Sequence, residues 1–231
     1  MGRRRHPGID PRSFDRFHVE PLLGIDEVGL GAIAGPICVA GAILPRDRKV
    51  TDLLHEAGLR DSKEMTGLSR ERVYDLIVKH ALWYEHVFAW CWEIEEDGYS
   101  ATLDRLYSTI IAKAYTREVE SGRAVAQVLL DGDARANLKY EHTAVQKGDQ
   151  KSQTIAAASV IAKVTRDRLM VRKGTEYPGY DFHNNVGYGT RAHLQGLKKL
   201  GPCEIHRQNT KPVKKAKGLK VPKKSFKAGW R

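Results

Sequence analysis

Residues 24–36 read GIDEVGLGAIAGP and combine two features that an ordinary strand does not need. Two adjacent acids, Asp26 and Glu27, end an apolar run, and three glycines and a proline follow within the next nine residues. Successive side chains of a strand point to opposite faces, so both acids reach one site only where the strand ends, bends or bulges. Gly29 and Gly31 permit such a bend. The stretch therefore predicts a strand that ends at a chemically active edge.

The composition is that of an ordinary folded protein. The 231 residues are 41% hydrophobic and 29% charged, which favours one domain around one sizeable core. The three cysteines lie far apart and form no CxxC pair, so we expect a reducing, cytoplasmic compartment. The longest apolar run, residues 32–44, is interrupted by Gly and Pro and is too short to span a bilayer. We therefore expect no association with a membrane.

The net charge of +11 indicates a polyanionic partner such as nucleic acid, but the charge is unevenly distributed. Residues 1–16 carry five Arg and two Asp, and residues 211–231 carry eight Lys and one Arg without an acid. The remaining residues, 17–210, therefore sum to −1. This division predicts a nearly neutral folded domain between a basic N-terminal extension and a basic C-terminal tail. We expect the domain to act as a monomer.

The C-terminal segment 211–231 contains two prolines and shows neither helical nor strand periodicity. Its like charges repel one another, so the segment is predicted to be disordered. One interpretation is a tail that only increases solubility. We favour sequence-independent contacts with nucleic-acid phosphates, because each Lys close to a phosphate releases a condensed counterion.

Between the two ends, strand-like and helical segments alternate. Five strands are predicted from β-branched and aromatic runs bounded by turn residues, at 22–28, 36–44, 82–92, 124–130 and 142–147. Four helices are predicted from apolar spacing and capping residues, at 69–81, 99–120, 152–172 and 190–201. Early strands followed by mixed strands and helices indicate an α/β domain with a helical C-terminal part at about 175–210.

Two further acids lie next to apolar segments that are predicted to be buried. Asp131 follows the apolar run VAQVLL, at the end of a predicted strand, and Asp167 lies late in the predicted helix 152–172. Each acid alone is better explained as a solvated strand end or helix face. Together with Asp26 and Glu27 they would repel one another unless a cation held them, and hard oxygen ligands favour Mg²⁺ or Mn²⁺. Two such ions about 4 Å apart are suited to phosphodiester cleavage, so the acids predict a metal-dependent nuclease.

Seven motifs follow one another along the central region: GIDEVGLGAIAGP (24–36), RDSK (60–63), LLDGD (129–133), KGDQKSQTIAAASVIAKVTRDRLM (147–170), YPGY (177–180), GYGT (187–190) and GPCEIHR (201–207). In this order they resemble the motifs of the type 2 ribonuclease H family, ribonuclease HII. The resemblance covers roughly residues 20–210, and the long fourth motif is its most specific part.

The resemblance implies a ribonuclease H-like fold, with a mixed five-stranded sheet flanked by helices and a helical C-terminal part. It also implies an endonuclease that cuts the RNA strand of RNA/DNA hybrids and nicks on the 5′ side of a ribonucleotide embedded in duplex DNA. The family's acids match Asp26, Glu27, Asp131 and Asp167, which would bind two divalent ions. The expected products carry 3′-hydroxyl and 5′-phosphate ends.

Residues that contact the substrate are also expected. A ribonuclease distinguishes RNA from DNA through the 2′-hydroxyl, and glycines let main-chain groups approach it closely. By the resemblance, the Gly29–Gly31 segment reads that hydroxyl and Tyr188 packs on the neighbouring sugar; without it, Tyr188 would be an ordinary core or surface aromatic. The full set of expected substrate contacts is Gly29, Leu30, Gly31, Lys63, Lys147, Lys151 and Tyr188, of which the three lysines are equally well explained as solvated side chains.

Three departures from the family's pattern reduce positive charge. Leu30 stands where the family usually has Arg, Asn185 and Val186 replace a basic pair, and Asp133 replaces Asn. We hypothesise that the basic tails restore part of the lost attraction to phosphates, and that preference for the junction at a single ribonucleotide is weaker than in the family.

Two other classes of function are compatible with parts of the sequence. A noncatalytic protein that binds RNA/DNA hybrids would explain the basic tails and Leu30, but it has no need for clustered acids facing phosphates. A basic ribosome-associated protein is disfavoured by the nearly neutral region 17–210.

Overall fold

The structure, a computed structural model, describes residues 11–60, 62–120 and 124–218. The strands are β1 (Leu22–Val28), β2 (Ile37–Ile43), β3 (Trp83–Ala89), β4 (Gln127–Asp131) and β5 (Thr143–Val145). The α-helices are α1 (Pro11–Arg16), α2 (Arg48–Glu56), α3 (Gly67–His80), α4 (Cys91–Glu120), α5 (Gly148–Lys151), α6 (Gln153–Glu176), α7 (Phe182–Asn185), α8 (Arg191–Leu200) and α9 (Lys211–Ala216).

The five strands form one mixed sheet in the order β3-β2-β1-β4-β5, which confirms the predicted architecture. Strand β2 is antiparallel to both β1 and β3, whereas β1, β4 and β5 run parallel. The carboxyl ends of parallel strands meet at one edge of a sheet, and this edge is where α/β proteins bind ligands. The acids at the ends of β1 and β4 therefore lie on the edge where a site is expected.

Helices cover both faces of the sheet. One face packs its apolar side chains, including Leu23 and Ile25, against α4, and the other packs against α2, α3 and α6. Helix α6 lies so close to β1 that a Cβ atom on Gly24 would come within 2.6 Å of the Ile155 nitrogen. Only glycine fits at this position. The small residues of the AAAS run in α6 are buried in the same layer. This close packing brings α6 next to the acids of β1.

The predicted elements agree with the structure in position and differ at their ends. The predicted strand 22–28 matches β1 completely, and the other four strands are shorter than expected. Helix α4 begins eight residues before its prediction, but its backbone is not helical at Gly98 (φ 78°), which separates a short first segment from the predicted one. Helices α1, α2, α5, α7 and α9 were not predicted, since they are too short for a clear apolar period.

The N-terminal boundary at residue 16 needs correction. Residues 11–16, assigned to the basic extension, form α1 and pack against α6 through Asp15. The Asp15 carboxylate accepts hydrogen bonds from the Thr154 main-chain N–H (2.9 Å) and hydroxyl (2.8 Å), at the first turn of α6. Residues 1–10 lie outside the described part of the chain.

The C-terminal boundary also differs from the prediction. Residues 211–216 were assigned to a disordered tail, but they form α9, and Val213 is fully buried against Ile33 and Leu197. Burial of this one apolar side chain supports the short helix despite its lysines. The rest of the predicted tail, from residue 219, lies outside the described residues. In the described part of the chain, no helix is both long and apolar enough to cross a membrane.

Candidate active site

Three carboxylates meet at the sheet edge where β1 and β4 end. Asp26 belongs to β1, Asp131 is the last residue of β4, and Asp149 lies in α5. One oxygen of each acid lies within 4.8 Å of the others, and the described residues contain no second group of three potential metal ligands with this spacing. Hard carboxylate oxygens at such spacing are the donor set that Mg²⁺ and Mn²⁺ prefer. The arrangement therefore fits a divalent cation.

The strand register and a tight turn bring these acids together. Ile25 pairs with Leu130 across the parallel strands β1 and β4. Asp26 and Asp131 are the next residues of these two strands and therefore lie side by side. The chain after β5 turns through a left-handed residue into α5, and the Gly148 N–H donates a 2.6 Å hydrogen bond to Asp131. This bond fixes the Asp131 carboxylate. Asp149, the residue after Gly148, is thereby placed beside Asp131.

The Asp26 carboxyl is strongly perturbed. Only 2% of the residue is exposed, and burial raises its pKa well above the usual value. The negative charges of Glu27 and Asp131 raise the pKa further, while a hydrogen bond from the Ser159 hydroxyl lowers it. The Glu27 main-chain N–H also donates to Asp26 at 2.7 Å. A bound cation would offset the repulsion between the carboxylates. Its positive charge favours their ionised form, which burial disfavours.

Glu27 points away from Asp26, toward the opposite face of the sheet. Its carboxylate accepts a hydrogen bond from the Tyr107 hydroxyl of α4. Burial is the largest cause that raises the pKa of Glu27; the Tyr107 hydrogen bond lowers it, and the charge of Asp131 raises it. Glu27 therefore influences the acid cluster electrostatically but lies outside the group of three. Strand β1 does not bulge between Asp26 and Glu27, so the two adjacent side chains point to opposite faces of the sheet.

Asp149 is the acid that sequence reasoning missed. It occurs in the KGD segment directly after β5, so the strand-end argument that identified Asp131 applies equally to it. The signal that could have found it is that β5 is parallel to β4 and ends at the same edge. A third strand end beside the first two supplies a third acid.

The prediction of Asp167 as an acid of this cluster does not match the geometry. The Asp167 carboxylate accepts a 2.8 Å hydrogen bond from Lys163, one helical turn earlier in α6, and lies 3.7 Å from Arg70 of α3. It is absent from the group of acids that the structure brings together. The helical spacing that was expected to aim Asp167 at the sheet instead pairs it with a lysine on its own helix.

Ser62 and Lys63 of the RDSK motif lie close to the acids. Ser62 is buried and its hydroxyl lies 2.8 Å from that of Ser159, the same serine that hydrogen-bonds Asp26. The Lys63 ammonium lies 3.8 Å from the Asp149 carboxylate, with 62% of the side chain exposed. One short turn thus contributes an indirect contact to Asp26 and a positive charge beside Asp149.

The two glycines after β1 differ in what they require. Gly29 has φ 95°, and a Cβ atom there would lie 2.4 Å from the Arg166 Nε and 2.9 Å from the Pro36 carbonyl. Gly29 is therefore needed for the fold itself. A Cβ on Gly31 would meet only the Tyr188 ring, at 3.9 Å, which is an ordinary contact. Gly31 is exposed, so its main chain is open to solvent beside the Tyr188 ring.

Two buried guanidinium groups hold the loop that carries these glycines. Arg166 donates to the carbonyls of Pro36, Ala34 and Val186, and Arg207 donates to those of Gly35 and Leu30. Arginine is suited to this task, because its planar donors satisfy several carbonyls at once. Leu30 itself is 39% exposed, so its side chain lies at the surface beside the loop.

Tyr188, the predicted contact for the sugar, is half-buried next to the loop. Lys163 and Arg166 place their charged groups over its ring, at 5.6 and 5.4 Å from the centroid. The preceding residue, Gly187, accepts hydrogen bonds from the main-chain N–H groups of Ile33 and Ala34. Tyr188 is thereby fixed to the same loop that contains Gly31.

The other departures from the family's pattern have different surroundings. Asn185 is buried, and its amide bonds the Tyr180 carbonyl and the Gly187 N–H, so it stabilises a turn and does not face a phosphate. Val186 adopts a left-handed conformation (φ 43°) at the end of α7. Asp133 is exposed and accepts a hydrogen bond from Gln146. Only Leu30 and Asp133 therefore change the charge of an exposed position.

Lys147 and Lys151 begin and end the short segment that carries Asp149. Lys147 is exposed and caps α5 in a left-handed conformation (φ 53°), and Lys151 is the partly buried last residue of α5. Both lysines thus lie on the segment that contributes an acid to the cluster. Positive charge near this edge is compatible with an anionic substrate.

Comparison with known proteins identifies the family of this chain. The family model described as Ribonuclease HII matches residues 23–213. The Ribonuclease HII of Burkholderia thailandensis is 40% identical over 199 residues, which cover 85% of this chain and 86% of the relative.

Solved structures agree with the sequence comparison. The crystal structure of ribonuclease H2 from Pyrococcus horikoshii OT3 has a TM-score of 0.67 and 26% identity, covering 85% of this chain and 97% of that one. The crystal structure of Bst-RNase HIII in complex with Mn²⁺ has a TM-score of 0.70 at 15% identity, covers 85% of this chain and 69% of that one, and shows the likeness of fold alone. The predicted ribonuclease H-like fold is thereby confirmed, and this chain belongs to the ribonuclease HII family, an endoribonuclease of the ribonuclease H type.

Proposed function

We propose that this protein hydrolyses the RNA strand of RNA/DNA hybrids and nicks duplex DNA on the 5′ side of an embedded ribonucleotide. The observation that carries the proposal is the meeting of Asp26, Asp131 and Asp149 within 4.8 Å at a sheet edge. Membership of the ribonuclease HII family supports the same activity. The proposed products have 3′-hydroxyl and 5′-phosphate ends.

In this proposal the three aspartates, with Glu27 close by, hold two divalent cations. Bound Mg²⁺ or Mn²⁺ would supply activation of the attacking water and stabilisation of the leaving oxygen. The spacing of the three aspartate oxygens supports this class of cation. Burial, followed by repulsion from Glu27 and Asp131, raises the pKa of Asp26, and a bound cation would offset both effects.

The chain's own groups hold the acids in place for this task. The Gly148 N–H fixes Asp131, the Tyr107 hydroxyl fixes Glu27, and the Glu27 N–H fixes Asp26. Carboxylates fixed before the substrate arrives need no reorganisation during the reaction. Lys63, which lies 3.8 Å from Asp149, is proposed to attract the phosphate next to the cleaved bond.

Recognition of the ribonucleotide is proposed to occur at the space between Gly31 and Tyr188. The 2′-hydroxyl would contact main-chain groups of the Gly29–Gly31 segment, and the sugar would pack on the Tyr188 ring. Leu30, Lys147 and Lys151 complete the proposed substrate surface. We propose further that the protein acts as a cytoplasmic monomer.

The decisive assay uses two substrates, a DNA duplex with a single ribonucleotide and an all-RNA/DNA hybrid. Each is incubated with Mg²⁺, with Mn²⁺ and with a chelator, for the wild-type protein and Asp26→Asn. We expect a nick 5′ of the ribonucleotide that needs a divalent cation and is abolished by Asp26→Asn. Binding without cleavage under every metal condition would overturn the proposal and favour a noncatalytic hybrid-binding protein.

A further inference from the structure

Two histidines that the proposed chemistry does not use form a buried chain of hydrogen bonds behind Tyr188. His193 of α8 and His206 are both fully buried, and their Nε2 atoms lie 3.1 Å apart. The other nitrogen of His193 lies 2.9 Å from the Tyr188 carbonyl. The other nitrogen of His206 lies 3.0 Å from the main-chain nitrogen of Cys203.

The two ends of this chain determine the tautomer of each ring. The Tyr188 carbonyl can only accept, so the His193 Nδ1 carries a proton and its Nε2 is an acceptor. The Cys203 N–H can only donate, so the His206 Nδ1 is an acceptor and its Nε2 carries a proton. The contact between the rings is then a hydrogen bond from His206 to His193. Both ends independently require the same direction.

The surroundings keep both rings neutral. Burial lowers the pKa of His193, and burial followed by the charge of a protonated His193 lowers that of His206 to about 4. The rings pack edge-on or tilted against Tyr180 and Phe182, which supply an apolar environment. A protonated His193 would direct N–H groups of both rings at each other. The described arrangement therefore exists only with two uncharged imidazoles.

The segment that contains His206 also pairs with the glycine loop. The Gly35 N–H donates to the Ile205 carbonyl at 2.8 Å, and the Arg207 N–H donates to the Ile33 carbonyl at 2.9 Å. The two histidines therefore join the main chain of Tyr188 to the segment 205–207. This segment is hydrogen-bonded to residues 33–35 of the loop after Gly31. Both Tyr188 and the segment 205–207 are thereby linked to the loop that follows Gly31.

We propose that the His206–His193 pair is a positioning device that holds Tyr188 at a fixed distance from Gly31. The inference rests on the proposed function of Tyr188 as a contact for the ribose. His193 acts through the Tyr188 carbonyl and does not touch the substrate. Its effect is to keep the Tyr188 ring in place beside the exposed main chain of Gly31.

The first test measures the tautomers in the free protein. Nitrogen-15 NMR of the imidazoles at neutral pH should show His193 protonated at Nδ1 and His206 protonated at Nε2. This pattern is unusual for His193, because the Nε2–H form is the commoner one in solution, and it does not depend on any substrate. A His193 ring protonated at Nε2 would overturn the inference.

The second test measures cleavage of the single-ribonucleotide duplex under single-turnover conditions. His193→Phe keeps an aromatic ring in the apolar pocket but removes the donor to Tyr188, and loss of one hydrogen bond should slow cleavage about fivefold. His193→Asn places an amide donor close to the position of Nδ1 and should recover most of this loss. Equal loss in both variants, with both proteins folded by circular dichroism, would overturn the inference.

A double-mutant cycle separates this inference from the function on which it rests. If His193 acts through Tyr188, His193→Phe should change the rate of Tyr188→Ala by less than about twofold. An undiminished fivefold loss in the Tyr188→Ala background would overturn the positioning role. If Tyr188→Ala alone leaves cleavage unchanged, the proposed ribose contact fails, and the positioning role fails with it, whereas the tautomers measured by NMR remain.

Discussion

At the scale of single residues, the acid cluster depends on which acid follows which strand. Asp149 belongs to the cluster because β5 ends beside β4, and Asp167 is held by Lys163 and Arg70. The two acids lie in the same sequence motif, KGDQKSQTIAAASVIAKVTRDRLM, so a resemblance of sequence does not distinguish them. Only through-space geometry separates an acid of the site from one of an ion pair.

A matched pair of substitutions tests this distinction. We expect Asp149→Asn to reduce metal-dependent cleavage at least about 100-fold, since it removes one of three converging carboxylates. We expect Asp167→Asn to retain activity within about threefold, because Asp167 pairs with Lys163 and Arg70 and lies outside the group of three acids. Cleavage rates at saturating Mg²⁺ provide the measurement.

The reverse result would restore the original assignment. Normal activity in Asp149→Asn together with inactive Asp167→Asn would show that α6, and not α5, supplies the acid. Melting temperatures of both variants serve as the control, because they reveal any reduction of activity that is due to unfolding.

The two glycines after β1 predict different outcomes for the same substitution. Gly31→Ala should fold with unchanged stability, because its Cβ would meet only the Tyr188 ring at 3.9 Å. If the ribose enters this space, the added methyl group should slow cleavage of the single-ribonucleotide duplex about tenfold or more, as small misplacements do in active sites. Single-turnover rates and melting temperature measure the two effects separately.

Gly67→Ala is the control for this prediction. Gly67 opens α3 with no atom within 4 Å of its Cβ position, so alanine should leave both stability and activity unchanged. Wild-type cleavage by Gly31→Ala would show that the substrate does not approach the main chain at this position.

At the scale of elements, α6 connects most parts of the site. It packs on β1 through Gly24, carries the serine that bonds Asp26, and carries the arginine that holds the loop of residues 29–36. Its first turn is capped twice, by Ser152 within the chain and by Asp15 from α1. The N-terminal segment that was predicted to be a charged extension is therefore part of the support of this helix.

Removal of the second cap should destabilise the protein. We expect Asp15→Ala to lower the free energy of unfolding by about 1–2 kcal/mol, the usual cost of losing a capping side chain. Asp15→Asn keeps an oxygen acceptor and should lose less. Urea denaturation followed by circular dichroism measures both, and equal stability of Asp15→Ala and wild type would show that α1 does not support α6.

At the scale of the whole molecule, the buried histidines make stability depend on pH. The folded protein holds His206 at a pKa of about 4, below its ordinary value of 6.5, so the unfolded state binds more protons between these values. Stability should therefore fall as pH falls from about 6.5 toward 4. Burial raises the pKa of Asp26 and Glu27, which contributes in the opposite direction.

A comparison with His206→Gln isolates the contribution of the histidine. The acids are common to both proteins, so the wild type should lose more stability than the variant between pH 7 and pH 4.5, by about 2 kcal/mol or less. Urea denaturation at several pH values provides the data. Parallel curves for the two proteins would contradict the assigned burial of His206.

The distribution of charge predicts how the molecule meets nucleic acid. Truncation after Gly218 spares α9 and the buried Val213, and it removes four Lys and one Arg, which lowers the net charge from +11 to +6. We expect weaker binding to RNA/DNA hybrid, with the salt slope reduced by up to about 0.9 for each phosphate that the tail no longer neutralises.

A rearranged tail provides the control for this prediction. A chain with residues 219–231 in scrambled order keeps the charge and should bind as the wild type does, because attraction to phosphates is independent of sequence. An unchanged affinity and salt slope after truncation would show that the tail does not contribute to binding, and that the absence of positive charge at Leu30 is not compensated there.

The amino-acid sequence by itself determined the strands, the long helices and the family, and it identified Asp26, Asp131 and Tyr188 as candidate site residues. These features depend on short-range patterns, such as apolar periodicity and acids at strand ends, which are visible along the chain. The same patterns placed the ends of elements less accurately and missed short helices such as α9, whose single buried valine gives no period.

The tertiary structure alone decided which groups meet. It turned Glu27 toward Tyr107, brought Asp149 to the sheet edge, and paired Asp167 with Lys163. It also joined two histidines that are 13 residues apart into one chain behind Tyr188. Strand order, register and helix rotation set these contacts, and they result from the packing of the whole core rather than from the residues next to each acid.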